Sequence, residues 1–200
     1  MDVRGPELYP TSPALTRAFL REVALPPNVW EPAAGIGHMA LPLVEHGYNV
    51  RCSDLIDYGA RLPGVPEISI VDFMSPEVAK VRLGEEWAIV TNPPFSLGAD
   101  FVRRGLEICP TVCVLNRLAF LESRARADIL DQHLSCVYVF VNRPPMMHRW
   151  SQDPETGDWR EWQGRKADSA MPFAWYVFTQ QPPVQTTLRR IAWSSDDNRI

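Results

Sequence analysis

The chain has 200 residues, of which 46% are hydrophobic and 22% are charged, and these values are typical of one globular domain with its own core. No apolar run approaches the length of about 18 residues that a membrane span requires, and the N-terminus lacks a signal-peptide segment. The four cysteines form no C-x-x-C pair and have no zinc-binding spacing with the four histidines. We therefore expect a single domain over residues 1–200, with no metal site, that works in the cytoplasm and not at a membrane.

The net charge of −4 is unevenly distributed along the chain. Residues 1–100 contain 7 basic and 13 acidic side chains, whereas residues 101–200 contain 13 and 11. Eighteen of the 20 basic residues are Arg, which suits bidentate contacts with phosphate, although a GC-rich genome produces the same bias. Because a negative total charge disfavours nucleic acid as a partner, such a partner is expected to meet a local basic surface in the second half of the chain.

Apolar, strand-like runs alternate with helix-like stretches along most of the chain. The patterns predict strands at 27–31, 49–53, 67–71, 87–91, 111–116, 135–141 and 173–179, and helices at 13–23, 38–46, 76–82, 97–108 and 124–133. This alternation predicts an α/β fold, in which a doubly wound, mainly parallel sheet has helices on both faces.

A turn with two glycines follows the first predicted strand, in residues 31–37 (Glu-Pro-Ala-Ala-Gly-Ile-Gly). Gly35 and Gly37 permit positive φ angles and a close approach of the backbone to a ligand. The third glycine of the dinucleotide fingerprint is missing, which argues against a pyrophosphate at this turn. The carboxylate of Glu31 suits a ligand with a cationic amino group instead. An ordinary β–α turn accounts for the two glycines equally well.

The second and third predicted strands each end at an acidic residue. Asp54 lies about 20 residues beyond the glycines, where a doubly wound fold places a carboxylate on ribose hydroxyls. Asp72 is positioned to accept a hydrogen bond from an adenine amino group, with Phe73 beside the ring. Each acid alone is explained equally well as a helix cap or a solvated loop residue. Together they indicate a ligand site at the edge of the sheet where the strands end.

The fourth predicted strand leads into Asn92-Pro93-Pro94-Phe95, a rigid and non-helical loop. The side-chain oxygen of Asn92 and the carbonyl of Pro93 are two acceptors that together can hold both N–H groups of an aromatic amine. Phe95 is suited to stack on the ring that carries this amine. A plain turn with Phe95 in the core is the alternative interpretation.

Residues 142–172 interrupt the alternation and combine five cationic residues with three tryptophans. An insertion of about 30 residues is longer than ordinary connections in a compact domain and is usually functional or disordered. Its centre, 150–162, is predicted to form a short hairpin. Interleaved cations and aromatic rings suit phosphate contacts and base stacking, so we expect Arg143 and Arg149 to contact substrate. A tryptophan-anchored lid without a nucleic-acid role is the alternative.

These motifs, in this order and spacing and with the segment at residues 9–13, resemble the S-adenosylmethionine-dependent DNA N6-adenine methyltransferases. Residues 143–149 and 173–178 resemble small phage or prophage enzymes of this kind in particular. The resemblance implies a seven-stranded, Rossmann-like methyltransferase sheet whose last strand is antiparallel. It also implies methyl transfer from S-adenosylmethionine to N6 of an adenine that has left the DNA stack. The enzyme would act in a bacterial or phage-infected cell, as a monomer or a homodimer.

The resemblance further implies a role for individual residues. Catalysis is expected of Asn92, Pro93, Pro94 and Phe95, and substrate contacts of Phe95, Arg143, Arg149 and Trp175. Trp175 or Phe173 is expected to hold the target base opposite the proline loop, and a place in the core is the alternative interpretation for each of them. Cofactor contacts are expected of Tyr9, Thr11, Glu31, Pro32, Ala33, Gly35, Gly37, Asp54, Leu55, Asp72, Phe73 and Asn92.

Several other acceptors offer the same planar amino group. Adenine in RNA, N4 of cytosine in DNA and the side-chain amide of a protein glutamine all fit the proline loop. The insertion rich in Arg and Trp favours a nucleic acid over a glutamine. A catalytically inactive, cofactor-binding subunit of a larger complex is the non-enzyme alternative. The intact Asn92-Pro93-Pro94-Phe95 sequence disfavours it, because an inactive subunit need not retain that loop.

Overall fold

An eight-stranded sheet forms the centre of the protein. The computed structural model describes residues 10–143, 150–152, 159–161 and 171–194. The sheet contains β1 (Asn28–Glu31), β2 (Asn49–Asp54), β3 (Ile68–Ile70), β4 (Trp87–Thr91), β5 (Thr111–Arg117), β6 (Leu134–Phe140), β9 (Phe173–Thr179) and β10 (Thr187–Ile191). Two further strands, β7 (Trp150–Gln152) and β8 (Trp159–Glu161), pair with each other in antiparallel orientation as a separate small sheet.

The strand order is β3-β2-β1-β4-β5-β9-β6-β10. All pairs are parallel except those of β9, which lies antiparallel between β5 and β6. From β1 the chain first builds outward through β2 to β3 and then returns to place β4 on the other side of β1. The carboxyl ends of β1 and β4 therefore flank the point where the strand order reverses.

Within the described residues, four helices cover the sheet: α1 (Pro13–Leu20), α2 (Ala40–Glu45), α3 (Gly98–Ile108) and α4 (Ala127–His133). Single turns of 3-10 helix lie at Val78–Lys80, Phe95–Leu97, Leu118–Leu121 and Arg124–Arg126. None of the described helices has the length and apolar character needed to cross a bilayer.

Successive residues of the central strands point into two different cores, because side chains alternate between the faces of a sheet. Val29 and Val90 join the core beneath α1 and α2, which contains Phe19 and Leu43. The neighbouring Trp30 and Ile89 join the core on the opposite face, beneath α3 and α4. Helices thus cover both faces, and the strands read as continuous apolar runs for that reason.

The structure confirms the α/β fold class and differs from the expected sheet in one respect. The antiparallel strand is present, but it is followed by β10, which pairs parallel with β6 and raises the number of strands from seven to eight. The sequence of β10, Thr-Leu-Arg-Arg-Ile, is polar, and only Ile191 is buried. Backbone pairing at the sheet edge forms this strand without the apolar pattern that identified the others.

Candidate active site at the carboxyl edge of the sheet

A cavity of about 440 Å³ lies at the carboxyl ends of β1 to β4. Open α/β sheets bind their ligands at this place, where the strand order reverses. The volume falls within the range of about 300–1,000 Å³ that is usual for small-molecule sites. The lining residues follow the four strands or belong to the start of α3: Pro32, Ala33, Gly35, Asp54, Leu55, Ile56, Tyr58, Val71, Asp72, Phe73, Met74, Asn92, Pro93, Pro94, Phe95, Leu97 and Phe101.

The glycine turn after β1 has the left-handed backbone that its sequence predicts, with φ of 58° at Gly35 and 98° at Gly37. A Cβ atom on Gly37 would lie 2.7 Å from Cγ1 of Val65, so the turn is also closely packed. The backbone N–H of Gly35 donates to Oδ2 of Asp54 over 2.8 Å. Asp54 thereby ties the turn to the end of β2, and its Oδ1 accepts from the N–H of Ile56 over 3.0 Å.

Two carboxyl groups lie close together beneath this turn. Glu31 is 1% exposed, and its Oε2 has no hydrogen-bond partner among the described residues. Burial raises the pKa of Glu31 well above its usual value, and the nearby charge of Asp54 raises it further. Burial also raises the pKa of Asp54, while the backbone N–H groups of Gly35, Ile56 and Leu55 oppose that shift. The pair is therefore a place where a cationic group gains two partners.

A second, small cavity of about 30 Å³ adjoins the first. Glu31, Thr11 and His38 are among its lining residues, and Ala33, Gly35 and Asn92 line both cavities. Burial lowers the pKa of His38 to about 4, so the imidazole is neutral at pH 7 and supplies no cation to Glu31. The orphaned carboxyl oxygen thus lies beside a space with room for a small polar group.

Asn92 uses only one end of its amide within the described structure. Its Nδ2 donates to the hydroxyl oxygen of Thr11 over 2.9 Å, which fixes the orientation of the side chain. Its Oδ1 is buried and has no hydrogen-bond partner. In the turn that follows, the N–H of Leu97 donates to the carbonyl of Pro94 over 2.8 Å. The carbonyl of Pro93 takes no part in that hydrogen bond. An acceptor without a partner is unusual for a buried amide and is common where a ligand completes a site.

Phe95 is half-buried and borders the larger cavity. Its ring centroid lies 5.6 Å from that of Phe173 at an interplanar angle of 46°. The guanidinium carbon of Arg117, at the end of β5, lies 4.4 Å from the centroid of the Phe95 ring. The proline loop is thus flanked by an aromatic residue of β9 and a cationic residue of β5.

Most residues that the sequence proposed for the site lie together in the structure. Eleven of them line the larger cavity, namely Pro32, Ala33, Gly35, Asp54, Leu55, Asp72, Phe73, Asn92, Pro93, Pro94 and Phe95. Thr11 and Glu31 line the smaller one. Gly37 shapes the turn without lining either cavity. Asp72 is exposed and accepts from the N–H of Met74 over 2.8 Å, whereas Phe73 is 2% exposed and packs on Trp30 and Phe101.

Trp175 does not lie at the cavity, in contrast to the prediction for it. The side chain is fully buried between β9 and α1, where it stacks on Phe19 with 4.4 Å between ring centroids. Its Nε1 donates to the carbonyl of Leu15 over 3.1 Å. Residues 173 and 175 share one face of β9, but only Phe173 is near enough to the strand end to reach the proline loop. Trp175 is therefore a core residue.

Two further predicted residues, Tyr9 and Arg149, lie outside the described residues. Arg143 is exposed just beyond β6, at the same edge of the sheet as the cavity.

Sequence reasoning missed several residues that line the cavities. Tyr58, Leu97 and Phe101 contribute apolar surface to the larger one, and His38 lines the smaller one. Arg117 was also missed, although an arginine at the end of an apolar strand follows the rule that identified Asp54 and Asp72. The position of Arg117 at a strand end was therefore enough to predict it as a site residue. The apolar residues that line the cavity were not predictable in this way, because their sequence pattern is the same as that of core residues.

No protein-family model matches the chain, and no curated protein matches it in sequence. Similar folds occur in solved structures of methyltransferases. The modification subunit of a putative type I restriction enzyme from Vibrio vulnificus matches with a TM-score of 0.59 and 13% identity over 96% of this chain, which spans 49% of that protein. A putative RNA methyltransferase from Pyrococcus horikoshii matches with a TM-score of 0.56 and 14% identity, over 89% of this chain and 91% of the other.

A predicted O-methyltransferase from Agrobacterium tumefaciens gives a TM-score of 0.55 at 11% identity, over 91% of this chain and 86% of the other. The chain thus has the Rossmann-like fold found in methyltransferases. One of these structures is described as an RNA methyltransferase and another as an O-methyltransferase, so the fold is compatible with more than one acceptor.

Proposed function

We propose that this protein transfers a methyl group from S-adenosylmethionine to the exocyclic N6 amino group of adenine in DNA. The observation that carries the proposal is the amide of Asn92, whose nitrogen is fixed by Thr11 while its buried oxygen has no partner. Asn92 lines a cavity of about 440 Å³, together with the rest of the proline loop and the ring of Phe95. An acceptor in this setting suits the N–H group of a planar amine.

The residues at the site fit S-adenosylmethionine. The buried carboxyl of Glu31 and the hydroxyl of Thr11 suit the cationic amino group of a methionine moiety. Asp54 suits the ribose, and Asp72 with the neighbouring apolar side chains suits the adenine ring. When bound, this cofactor supplies an electrophilic methyl group on a positively charged sulfur.

The protein contributes mainly by positioning the acceptor. The Oδ1 of Asn92 and the carbonyl of Pro93 accept the two N–H groups of the amine and favour a pyramidal nitrogen with an available lone pair. Phe95 stacks on the base and fixes the plane of the ring. The target base must leave the stack before it reaches this loop, since its amino group is inaccessible within a duplex.

The retained geometry also disfavours the non-enzyme alternative. A subunit that only binds cofactor gains nothing from a buried amide oxygen without a partner, and such an atom costs stability. Adenine in RNA and N4 of cytosine remain related acceptors, because each presents the same NH2 group.

The test is to identify the methylated product. The protein is incubated with methyl-labelled S-adenosylmethionine and, separately, with duplex DNA, single-stranded DNA, RNA and a protein extract, and the labelled product is digested. We expect label in N6-methyladenine from DNA. Label in RNA adenine, in N4-methylcytosine or in glutamine would show that this group, and not adenine in DNA, is the acceptor. Cofactor binding without transfer to any acceptor would favour an inactive subunit.

A further inference from the structure

Arg117 has an unusual environment at the rim of the proposed active site. Its guanidinium stacks on the ring of Phe95, with 4.4 Å from Cζ to the ring centroid. The side chain is half-buried, and its Nε is fully buried without a hydrogen-bond partner among the residues that the structure describes. The structure shows no ion pair for it with a described carboxylate. A cationic donor that is partly withdrawn from water and left without an acceptor is costly, so its retention needs a reason.

The other half-buried arginines of the described chain all have polar partners. Arg17 pairs with Glu45, Arg103 with Asp100 and Asp128, and Arg104 with Glu107. Arg126 also stacks on an aromatic ring, that of Phe120, but its Nε and Nη2 donate to the backbone carbonyls of Phe120 and Ala119. Arg117 thus differs from these four in having only the ring contact.

The backbone of Arg117 is held by two hydrogen bonds. Its N–H donates to Oδ1 of Asn116 over 2.8 Å. The hydroxyl of Tyr176 donates to its carbonyl over 2.9 Å. Tyr176 and Asn116 are both buried. The fold therefore holds the backbone of Arg117 beside the proline loop, and the guanidinium lies on the ring of Phe95.

We infer that Arg117 binds a phosphate group of the nucleic-acid substrate, next to the nucleotide whose base enters the cavity. The inference rests on the proposed function and adds a specific anion contact to it. A guanidinium presents several donors in one plane and matches the oxygens of a phosphate. Its place on the ring of Phe95 keeps this group within reach of a nucleotide whose base contacts the same ring.

A phosphate fits this place better than a base edge does. Phe95 lines the cavity, whereas Arg117 does not. The cation therefore lies behind the aromatic ring and outside the space that the base would occupy. A nucleotide carries its phosphate outside the base pocket in the same manner, and phosphates are the commonest targets of arginine in nucleic-acid complexes.

The experiment compares the salt dependence of oligonucleotide binding by the full chain and by Arg117→Met. Dissociation constants are measured on duplex and on single-stranded DNA between about 50 and 200 mM salt. Loss of one phosphate contact is expected to reduce the slope of log K against log salt by about 0.9 on duplex or about 0.7 on single strands. Affinity at low salt is expected to fall about tenfold, equally for different base sequences.

Arg51→Met is the matched control, because Arg51 also lies 4.4 Å from the centroid of an aromatic ring, but that ring, Trp30, does not line the cavity as Phe95 does. Its slope is expected to equal that of the wild type. Arg117→Lys keeps the charge and is expected to retain most of the slope. Unchanged binding of S-adenosylmethionine by Arg117→Met shows that the variant is folded.

The salt dependence of binding by the Arg117→Met variant tests the phosphate contact separately from the proposed function. An unchanged slope in a folded Arg117→Met variant would overturn the inference while leaving the proposed function intact. A relaxed base preference at unchanged slope would also overturn it, because Arg117 would then contact a base. If the wild-type protein binds none of the oligonucleotides, the proposed function itself has failed, and the inference fails with it.

Discussion

The two ends of the Asn92 amide have different surroundings, since Nδ2 is bonded to Thr11 and Oδ1 has no partner among the described residues. A single substitution tests the role proposed for Oδ1. Asn92→Ala removes the unpartnered Oδ1 while Asp54 and Glu31 remain in place. We expect methyl transfer to fall by about 100-fold or more, which is the usual effect of removing one preorganised hydrogen-bonding group from a reacting centre. The dissociation constant for S-adenosylmethionine should change little. Single-turnover transfer and calorimetric binding measure the two quantities.

Asn49→Ala is the control for this substitution. Asn49 is exposed on β2, and its Nδ2 donates to Oδ1 of Asn28, away from the cavity. Its transfer rate should match that of the wild type. A rate close to that of the wild type in Asn92→Ala as well would refute the catalytic role of the amide.

Glu31 couples the stability of the protein to pH. Burial and the charge of Asp54 raise its pKa above the usual 4.5 in the folded state. Below that value the group is protonated in both states and adds no pH dependence. As pH rises from 4.5 towards the raised pKa, only the unfolded chain releases the proton, so the free energy of unfolding falls. Above the raised pKa the carboxyl is ionised in both states, so the fall in the free energy of unfolding is complete and no longer depends on pH.

Glu31→Gln should abolish this fall in the free energy of unfolding, because the amide of glutamine has a similar shape and carries no charge. We expect the variant to melt at a higher temperature than the wild type at about pH 8, with a difference that shrinks as pH falls towards 4.5. Its affinity for S-adenosylmethionine should fall about tenfold or more, since the partner of a cationic amino group is lost. Glu67→Gln, a change at an exposed residue, should alter neither quantity. If Glu31→Gln and the wild type melted at the same temperature at every pH, Glu31 would not be a buried carboxyl group with a raised pKa.

At the scale of single elements, β9 illustrates which details of the fold were predictable. The sequence predicts this strand at 173–179, and the structure has it at Phe173–Thr179. The sequence did not show which face each residue takes, because both faces of the strand are covered and all five of its buried residues are apolar or aromatic. The resemblance to adenine methyltransferases implies a place at the base pocket for Trp175, whereas the structure places its side chain in the core against Phe19.

The location of Trp175 gives a prediction about stability. Trp175→Ala removes a fully buried side chain and the hydrogen bond to Leu15, and should lower the free energy of unfolding by about 3–5 kcal/mol. Trp175→Phe keeps the stack on Phe19 and should be milder, with methyl transfer retained. Trp193→Ala, at a partly buried position, should cost less than Trp175→Ala. Urea denaturation measures these differences. If the Trp175→Phe variant folds but no longer transfers the methyl group, Trp175 would contribute to the base pocket after all.

Elements with a weak pattern were predicted less well than the central strands. The helix expected over 76–82 is a single 3-10 turn, Val78–Lys80, in which only Val78 is buried. One buried side chain gives too little packing to stabilise a longer helix. Strand β10 was missed because four of its five residues are exposed. Strands β1 and β4 were predicted well because nearly all of their residues are buried, which gives a continuous apolar run in the sequence.

For the molecule as a whole, the site depends on a property of topology that sequence can reveal. The carboxyl ends of parallel strands meet at one edge, so Gly35, Asp54, Asp72 and Asn92 could be brought together on paper from the alternation of strands and helices alone. The contacts of Arg117 with Phe95 and of Asn92 with Thr11 join residues from different parts of the chain. Such pairings depend on side-chain directions that no local pattern contains.

The same topology makes cofactor binding a test of the entire architecture. A ligand that contacts the ends of four strands binds only the folded chain and stabilises it. At about 100 times its dissociation constant, S-adenosylmethionine should raise the free energy of unfolding by about 2.7 kcal/mol. For a chain of this size the melting temperature should then rise by about 5–11 °C.

NAD is the control ligand for this measurement, because the glycine turn lacks the third glycine that a dinucleotide pyrophosphate requires. We expect no rise in melting temperature with NAD and a reduced rise with S-adenosylmethionine in Glu31→Gln. A rise with NAD and none with S-adenosylmethionine would contradict the assignment of the cavity, since the four strand ends would then serve a different nucleotide.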